Sequence, residues 1–259
     1  MAIITLTTDW HNDDFYTGAI KGLLYAKCTD VKVIDITHKI DTFKYTQAAF
    51  ILRNVYKYYP QGTIHIVGIQ SNINEKQHPV CVKIHNQYFI GSSGGIFSLI
   101  FDNKPDIVVR INENNIIKRS TFPELTIFAE AAVMIANGAD IKQLGDEFAE
   151  MTQFMQMMPA VDKNVITGQV IYIDSYKNAI TNISKQLFYD LKKDKKFVVA
   201  VKSDSYKVNK ICSEYSDVER GEVLALFNSA GLLEFAMRDG KIAELADIQI
   251  NTPVIIKFL

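Results

Sequence analysis

The chain of 259 residues carries no excess of positive charge, no long apolar run and no pattern in its cysteines. Lysine plus arginine number 28 against 29 acidic residues. Without a basic excess nothing in the composition suits a phosphate backbone or an anionic membrane surface, so neither nucleic acid nor membrane is an expected partner. No apolar run reaches the ~18–20 residues of a membrane-spanning helix. The opening MAIITLTTDW has neither the basic flank nor the cleavage pattern of a secretory leader. Cys28, Cys81 and Cys212 are odd in number, far apart and free of C-x-x-C spacing. That argues against a disulfide framework or a zinc site, and each is read as a small buried apolar residue in a reducing compartment. Cytoplasm is the expected location. Internal repeats and low-complexity tracts are missing too. What is present is apolar: 48% of residues, enough for a sizeable core.

Residues 2–8 (AIITLTT) and 31–37 (VKVIDIT) are β-branched runs, and Phe15, Ala19, Ile20, Leu23, Leu24 and Ala26 between them have helical spacing. The pattern predicts a βαβ unit. A helix over 43–58, a strand at 62–69, a hairpin of 80–84 and 87–91 through His85-Asn86, a short helix from Gly95, a strand at 107–111 and a helix over 123–137 ended by Gly138 follow. Strand alternating with helix predicts a Rossmann-like, mostly parallel sheet flanked by helices, over residues 1–150. Residues 151–165 carry four methionines and no clear period, and read as a linker. Over 166–259 short strands dominate (GQVIYID, KFVVAVK, EVLALFN, LLEFAM, NTPVIIKF), with a helix at 184–191, which predicts a smaller C-terminal β-barrel domain.

The densest polar cluster, T8-D9-W10-H11-N12-D13-D14, falls where the first strand hands over to the first helix. Ligands of open α/β sheets bind at strand carboxyl ends, beside free helix N–H groups. Asp9 is a candidate there, because a carboxylate accepts two hydrogen bonds from vicinal hydroxyls. Alternatively Asp13 or Asp14 caps the helix. A second cluster, D174-S-Y-K-N178 with T181-N182-I183, offers a carboxylate for an ammonium, a ring for a purine and an amide for its edge, or is a plain β-turn. His38, alone at a strand end, reads as structural. His65 and His85 sit in strand-like runs without partners at ligand spacing, so no metal site is expected.

Together, TTDWHNDDFYTGAIKG, VIDITH, GTIHIVGI, IDSYKNAITNI and NSAGLLEFA resemble the S-adenosylmethionine hydroxide adenosyltransferase family, which includes nucleoside fluorinases and chlorinases. The motifs run in family order from residue 5 to about 243. The resemblance implies a homotrimer whose pockets form between the N-terminal domain of one subunit and the C-terminal domain of its neighbour. It places Asp9 on the ribose diol, Asp14 near the methionine amino group and Phe43 beside ribose and base. Asp174 and Ser229 fall at the amino-acid end, Tyr176 and Asn178 at adenine. No cofactor is implied, S-adenosylmethionine being substrate or ligand.

Displacement at C5′ needs an aligned nucleophile, exclusion of bulk water and, for hydrolysis, one activated water. Family hydrolases carry D-P-G-V-G-x-x-R and T-F-H-G-R-D segments whose Asp, Arg and His assist that water. Here the first reads Q70-S-N-I-N-E-K-Q77 and the second T121-F-P123-E124-L-T126, leaving Gln70, Gln77 and Pro123 at the three positions. Gln70 stays in the expected substrate-binding set. Glu124 stands where halogenases have a serine, and Pro123 lacks an N–H donor, so halogenation is disfavoured. The expectation is a divergent hydrolase forming adenosine and methionine, with Glu124 as general base. The alternatives are a non-catalytic adenosyl-binding protein and an enzyme acting on another nucleoside.

Overall fold

The computed structural model describes residues 1–11, 14–112, 120–155 and 157–259, the side chains of 203–205 excepted. The chain divides into two compact units, Met1–Met155 and Gln156–Leu259.

In the first unit the expected βαβ forms: β1 (Ala2–Thr8), α1 (Tyr16–Lys27) and β2 (Val31–Thr37), with β1 and β2 parallel. α2 (Tyr45–Val55) continues into a 3-10 turn, Tyr56–Tyr58, and leads to β3 (Ile64–Gly68). The hairpin is β4 (Pro79–Ile84) and β5 (Gln87–Ser92), and α3 (Ile96–Ile100) and β6 (Ile107–Ile111) follow. The helix predicted over 123–137 opens with a π-helical turn, Glu124–Phe128, before α4 (Ala129–Ala136). Gly138, at φ 96°, follows its end. A short strand beyond the predicted set, β7 (Gly145–Glu147), pairs with β6.

The sheet order is β2-β1-β3-β5-β4-β6-β7. β4 and β7 run against the other strands, so the sheet is mostly parallel. β3 shows how both faces are covered. Ile64 and Ile66 pack with α1 residues Ile20 and Leu24 and with Phe128, Ala131 and Ala132. Val67 joins the opposite core with Ala48, Ala49 and Leu52 of α2 and Phe97 of α3. The buried residues of α2 are spaced i, i+1, i+4, one face of a helix. Each such fully buried leucine or isoleucine contributes about 1.5–3 kcal/mol.

The second unit is a nearly closed, barrel-like sheet in the order β12-β11-β16-β9-β10-β15-β14-β13, with β8 paired to β9. Its strands are β8 (Ala160–Asp162), β9 (Val165–Ile173), β10 (Ala179–Ser184), β11 (Phe197–Val201), β12 (Ser203–Val208), β13 (Ile211–Cys212), β14 (Val223–Phe227), β15 (Leu232–Met237) and β16 (Pro253–Phe258). α5 (Lys185–Lys192) is capped by Ser184, whose Oγ accepts the Leu187 N–H at 3.1 Å. A single turn, α6 (Ile242–Leu245), precedes β16. Phe188, Phe235, Val199 and Ile256 centre the core. Among the described residues no helix is long and apolar enough to cross a membrane, and no group of His, Cys, Asp and Glu is placed to hold a metal ion. The three cysteines are free and buried.

Candidate active site

The polar residues of the first unit gather where β1 and β3 end. The two strands are parallel, with Thr8 opposite Gly68, so both open onto the same edge. One bond carries the pairing further: Asp9 N–H donates to the Gly68 carbonyl at 3.3 Å. The half-buried Asp9 side chain reaches the loop before α2, where its Oδ2 accepts the Phe43 N–H at 3.3 Å.

Glu124 arrives at the same place from the π-helical turn. A Cβ added to Gly68 would lie 3.2 Å from Glu124 Cγ, 3.3 Å from Thr8 Cγ2 and 2.7 Å from the Trp10 ring. Glycine at 68 is therefore what lets Trp10 and Glu124 close over the strand end. Glu124 is 6% exposed. Burial above all, with the nearby Asp9 charge, holds its carboxyl above the ordinary value, opposed by the Ser71 hydroxyl and its own backbone N–H. Ser71 Oγ faces that carboxyl yet makes no hydrogen bond of ordinary geometry. The Tyr45 hydroxyl, raised by burial and then by the Asp9 charge, is also buried without a hydrogen-bond partner. A buried hydroxyl left so costs about 1–3 kcal/mol. One such hydroxyl, Ser71, borders Glu124, and the other, Tyr45, feels the charge of Asp9.

Aromatic rings wall one side. Trp10 meets Phe122 edge-on with centroids 5.4 Å apart and stacks over His38 at 6.4 Å, and Tyr16 meets Phe122 at 4.9 Å. His38 is buried. Its Nδ1 pairs with Thr8 Oγ1 at 2.7 Å and its carbonyl accepts the His11 N–H at 2.8 Å. Its Nε2 lies 3.1 Å from Asp35 Oδ1, at ion-pair distance but off hydrogen-bond geometry. This histidine ties down the turn that carries Asp9 and Trp10. The loops nearby are strained: His11, Phe43 and Gln70 have φ of 58°, 66° and 45°, unusual for residues other than glycine.

Asp9, Phe43 and Glu124 are thus brought together. Gln70 is half-buried on the loop leaving β3, next to Ser71. Asp14 is exposed ahead of α1, whose N-cap is Phe15 with no side-chain cap, so Asp14 does not cap that helix. Asp13 lies outside the described residues. Gln77 closes a turn in which Asn74 Oδ1 accepts the N–H groups of Lys76 and Gln77, and its Nε2 lies beside Gly94 and near the Tyr45 hydroxyl. Pro123 starts the π-helical turn and helps line a cleft of about 830 Å³ with Ile73, Arg110 and Ser120.

In the second unit, residues 174–178 form a tight turn between β9 and β10. Asp174 N–H donates to the Asn178 carbonyl, while Asp174 Oδ1 accepts the Asn178 N–H at 2.8 Å and Oδ2 the Asn178 amide at 3.2 Å. Asn178 is buried and Tyr176 is 75% exposed, its ring available to stack. Ser229 is exposed in the turn 228–231. Asn228 builds that turn: its Oδ1 accepts the N–H groups of Ala230 and Leu232, and its amide donates to Glu234 Oε2 at 3.1 Å. Glu234 is 2% exposed and also accepts the Tyr215 hydroxyl at 2.7 Å. Burial first, then the Asp174 charge, push its carboxyl up, against the bonds from Tyr215, Asn228 and Asn178.

Trp10, Tyr45, Ser71, Glu234 and Tyr215 escape a reading of the sequence. Trp10 had a signal, as the single tryptophan of the chain beside Asp9. Glu234 had one too, as the lone charge in LLEFAM. Ser71 and Tyr45 had none.

Sequence profiles agree with this layout. The SAM hydroxide adenosyltransferase N-terminal domain matches residues 4–145, and the C-terminal domain of the same family matches residues 168–255. The chain belongs to the SAM hydroxide adenosyltransferase family. Two relatives named (R)-S-adenosyl-L-methionine hydrolase are similar to it. The one from Methanocaldococcus jannaschii is 29% identical, over 90% of this chain and 88% of its own. The one from Thermus thermophilus is 23% identical, over 98% and 99%. Among solved structures, an uncharacterized conserved protein from Thermotoga maritima superposes with a TM-score of 0.88 at 25% identity, covering 98% of this chain and 99% of that one. A conserved hypothetical protein from Thermus thermophilus superposes at 0.77 with 22% identity, over the whole of both chains. The family membership and two-unit fold expected from the motifs are thereby shown.

Proposed function

We propose that the protein hydrolyses S-adenosylmethionine to adenosine and methionine by in-line attack of water at the ribose C5′. The relatives' names support the reaction class. The observation that carries the reading to this chain is the burial of Glu124 beside Asp9 at the ends of β1 and β3. In the reaction a water oxygen bonds to C5′ as the C5′–S bond breaks. The bonding pair goes to sulfur, which leaves as neutral methionine, and the water proton goes to the Glu124 carboxylate. A general base works best with a pKa near the operating pH, and burial moves Glu124 in that direction. Asp9 accepts the ribose hydroxyls, with Phe43 and Tyr176 against ribose and adenine. Asn178 reads the adenine edge, Asp14, Asp174 and Ser229 hold the amino-acid end, and Gln70 lines the pocket. A buried carboxylate repels halide, so water is the nucleophile. We place the reaction in the cytoplasm, in a homotrimer whose sites draw on neighbouring subunits, with no cofactor.

Incubating the purified protein with S-adenosylmethionine, with and without chloride, tests this. Adenosine and methionine are expected in both, with no chlorinated nucleoside. Glu124→Gln is expected to slow turnover at least ~100-fold; unchanged turnover would remove Glu124 as base. A second reading, a binding protein for an adenosyl ligand, is favoured by Gln70, Gln77 and Pro123, which stand where the family resemblance leads one to expect the water-assisting Asp, Arg and His. Binding by calorimetry with no product would select it, and product from another nucleoside would redirect the substrate.

A further inference from the structure

Ser71 is 8% exposed and its hydroxyl has no hydrogen-bond partner, although it faces the Glu124 carboxyl. Buried polar side chains are nearly always bonded, and an unpaired hydroxyl beside a buried acid is a pair of groups able to hold a small polar molecule between them. The loop holding it is constrained: Gln70 sits at φ 45° and its carbonyl accepts the Asn72 N–H at 2.8 Å. In the D-P-G-V-G pattern that the resemblance implies, this position is a proline, which has no hydroxyl.

We infer that Ser71 is a catalytic residue, whose hydroxyl and the Glu124 carboxylate together hold the attacking water. This rests on the hydrolysis proposed above. Water has two hydrogens to donate. If Glu124 accepts one and Ser71 Oγ the other, both hydrogens point at the protein and a lone pair is left facing C5′. Once the water is seated, the Ser71 hydrogen turns to the Glu124 carboxylate, favouring the ionised form against the burial that opposes it. As the O–C5′ bond forms, Glu124 takes the first hydrogen as a proton. The second stays on oxygen and becomes the 5′-hydroxyl of adenosine, while the C5′–S pair leaves on sulfur. Ser71 neither gains nor loses a proton. The lost Asp, Arg and His are thereby replaced by a two-residue device drawn from the β3 loop and the π-helical turn.

The test compares wild type, Ser71→Ala, Ser71→Thr and Glu124→Gln in adenosine formation from S-adenosylmethionine across pH, with melting temperatures alongside. Ser71→Ala is expected to lower kcat about 10- to 100-fold with KM within about twofold. It also moves the acid limb of the kcat profile to higher pH, since the carboxylate loses a donor. Ser71→Thr keeps the hydroxyl and recovers most of the rate. If Glu124→Gln is impaired while Ser71→Ala matches wild type in rate and pH profile, this inference alone is overturned. A fall in rate that comes with a lower melting temperature and an unmoved acid limb makes Ser71 structural, and also overturns it. No adenosine from the wild type overturns the hydrolysis and this inference together.

Discussion

Glu124 and Glu234 are both buried glutamates with carboxyls pushed up chiefly by burial, one in each unit, and their surroundings differ. Glu234 is saturated. Tyr215 and Asn228 donate to its two oxygens, and through Asn228 it braces the 228–231 turn. Glu124 has beside it a serine whose hydroxyl is unpaired, an opposing carboxylate and backbone strain at Phe43 and Gln70. A buried acid with its donors in place holds structure together. One beside an unpaired hydroxyl and strained loops is, on the function proposed above, arranged to take a water.

The contrast breaks most sharply under paired substitution. Glu124→Gln removes a charge that burial disfavours, so at neutral pH the melting temperature is expected to hold or rise while turnover falls at least ~100-fold. If Glu124→Gln melts lower instead, Glu124 is as structural as its counterpart. Glu234→Ala is expected to lose about 2 kcal/mol, because Asn228 and Tyr215 lose their acceptor, read as a lower midpoint in urea unfolding. An unmoved midpoint would erase the distinction from the other side.

A third buried group sharpens it. His65 is fully buried between Thr5 Oγ1 at 2.7 Å and Gln87 Oε1 at 3.0 Å, and burial lowers its pKa to about 4. The folded state therefore resists protonation that the unfolded chain accepts from about pH 6.5 downward. Stability is present above pH 6.5 and is lost as pH falls from 6.5 to about 4, by on the order of 3 kcal/mol. His65→Gln should flatten that acid slope, and an unchanged slope would assign the loss to other groups. The smallest effect concerns strain. Phe43 is 62% exposed at φ 66°, so Phe43→Gly is expected to stabilise the fold by about 1 kcal/mol while raising KM for S-adenosylmethionine. Chemical denaturation and steady-state kinetics read the two halves separately.

The long elements of the first unit were legible because their period is unbroken. β1, β2 and β6 match the predicted runs at both ends. β7, β8 and β13 were not, being strands of two or three residues whose pairing is decided by distant partners. β10 reads AITNIS and its polar residues hid it behind the turn before it. The π-helical turn was invisible, since the apolar spacing of 123–137 is served equally by an ordinary helix. Asp9 was visible from its place at a strand end. Ser71 was not, because its isolation depends on what fails to approach it in space, and no local pattern encodes that.

The π-helical turn before α4 separates two jobs along one helix. Ala129, Ala131 and Ala132 fix the wall of the core, whereas the wide turn ahead of them carries one residue more than an α-turn needs. Removing a single residue there would swing the side chain at the Glu124 position by about 100° and leave α4 where it is. Length, as much as residue identity, is therefore a heritable variable at this spot. Relatives that differ by one residue between Phe122 and Ala129 would present a different group to the ends of β1 and β3 on an unchanged scaffold.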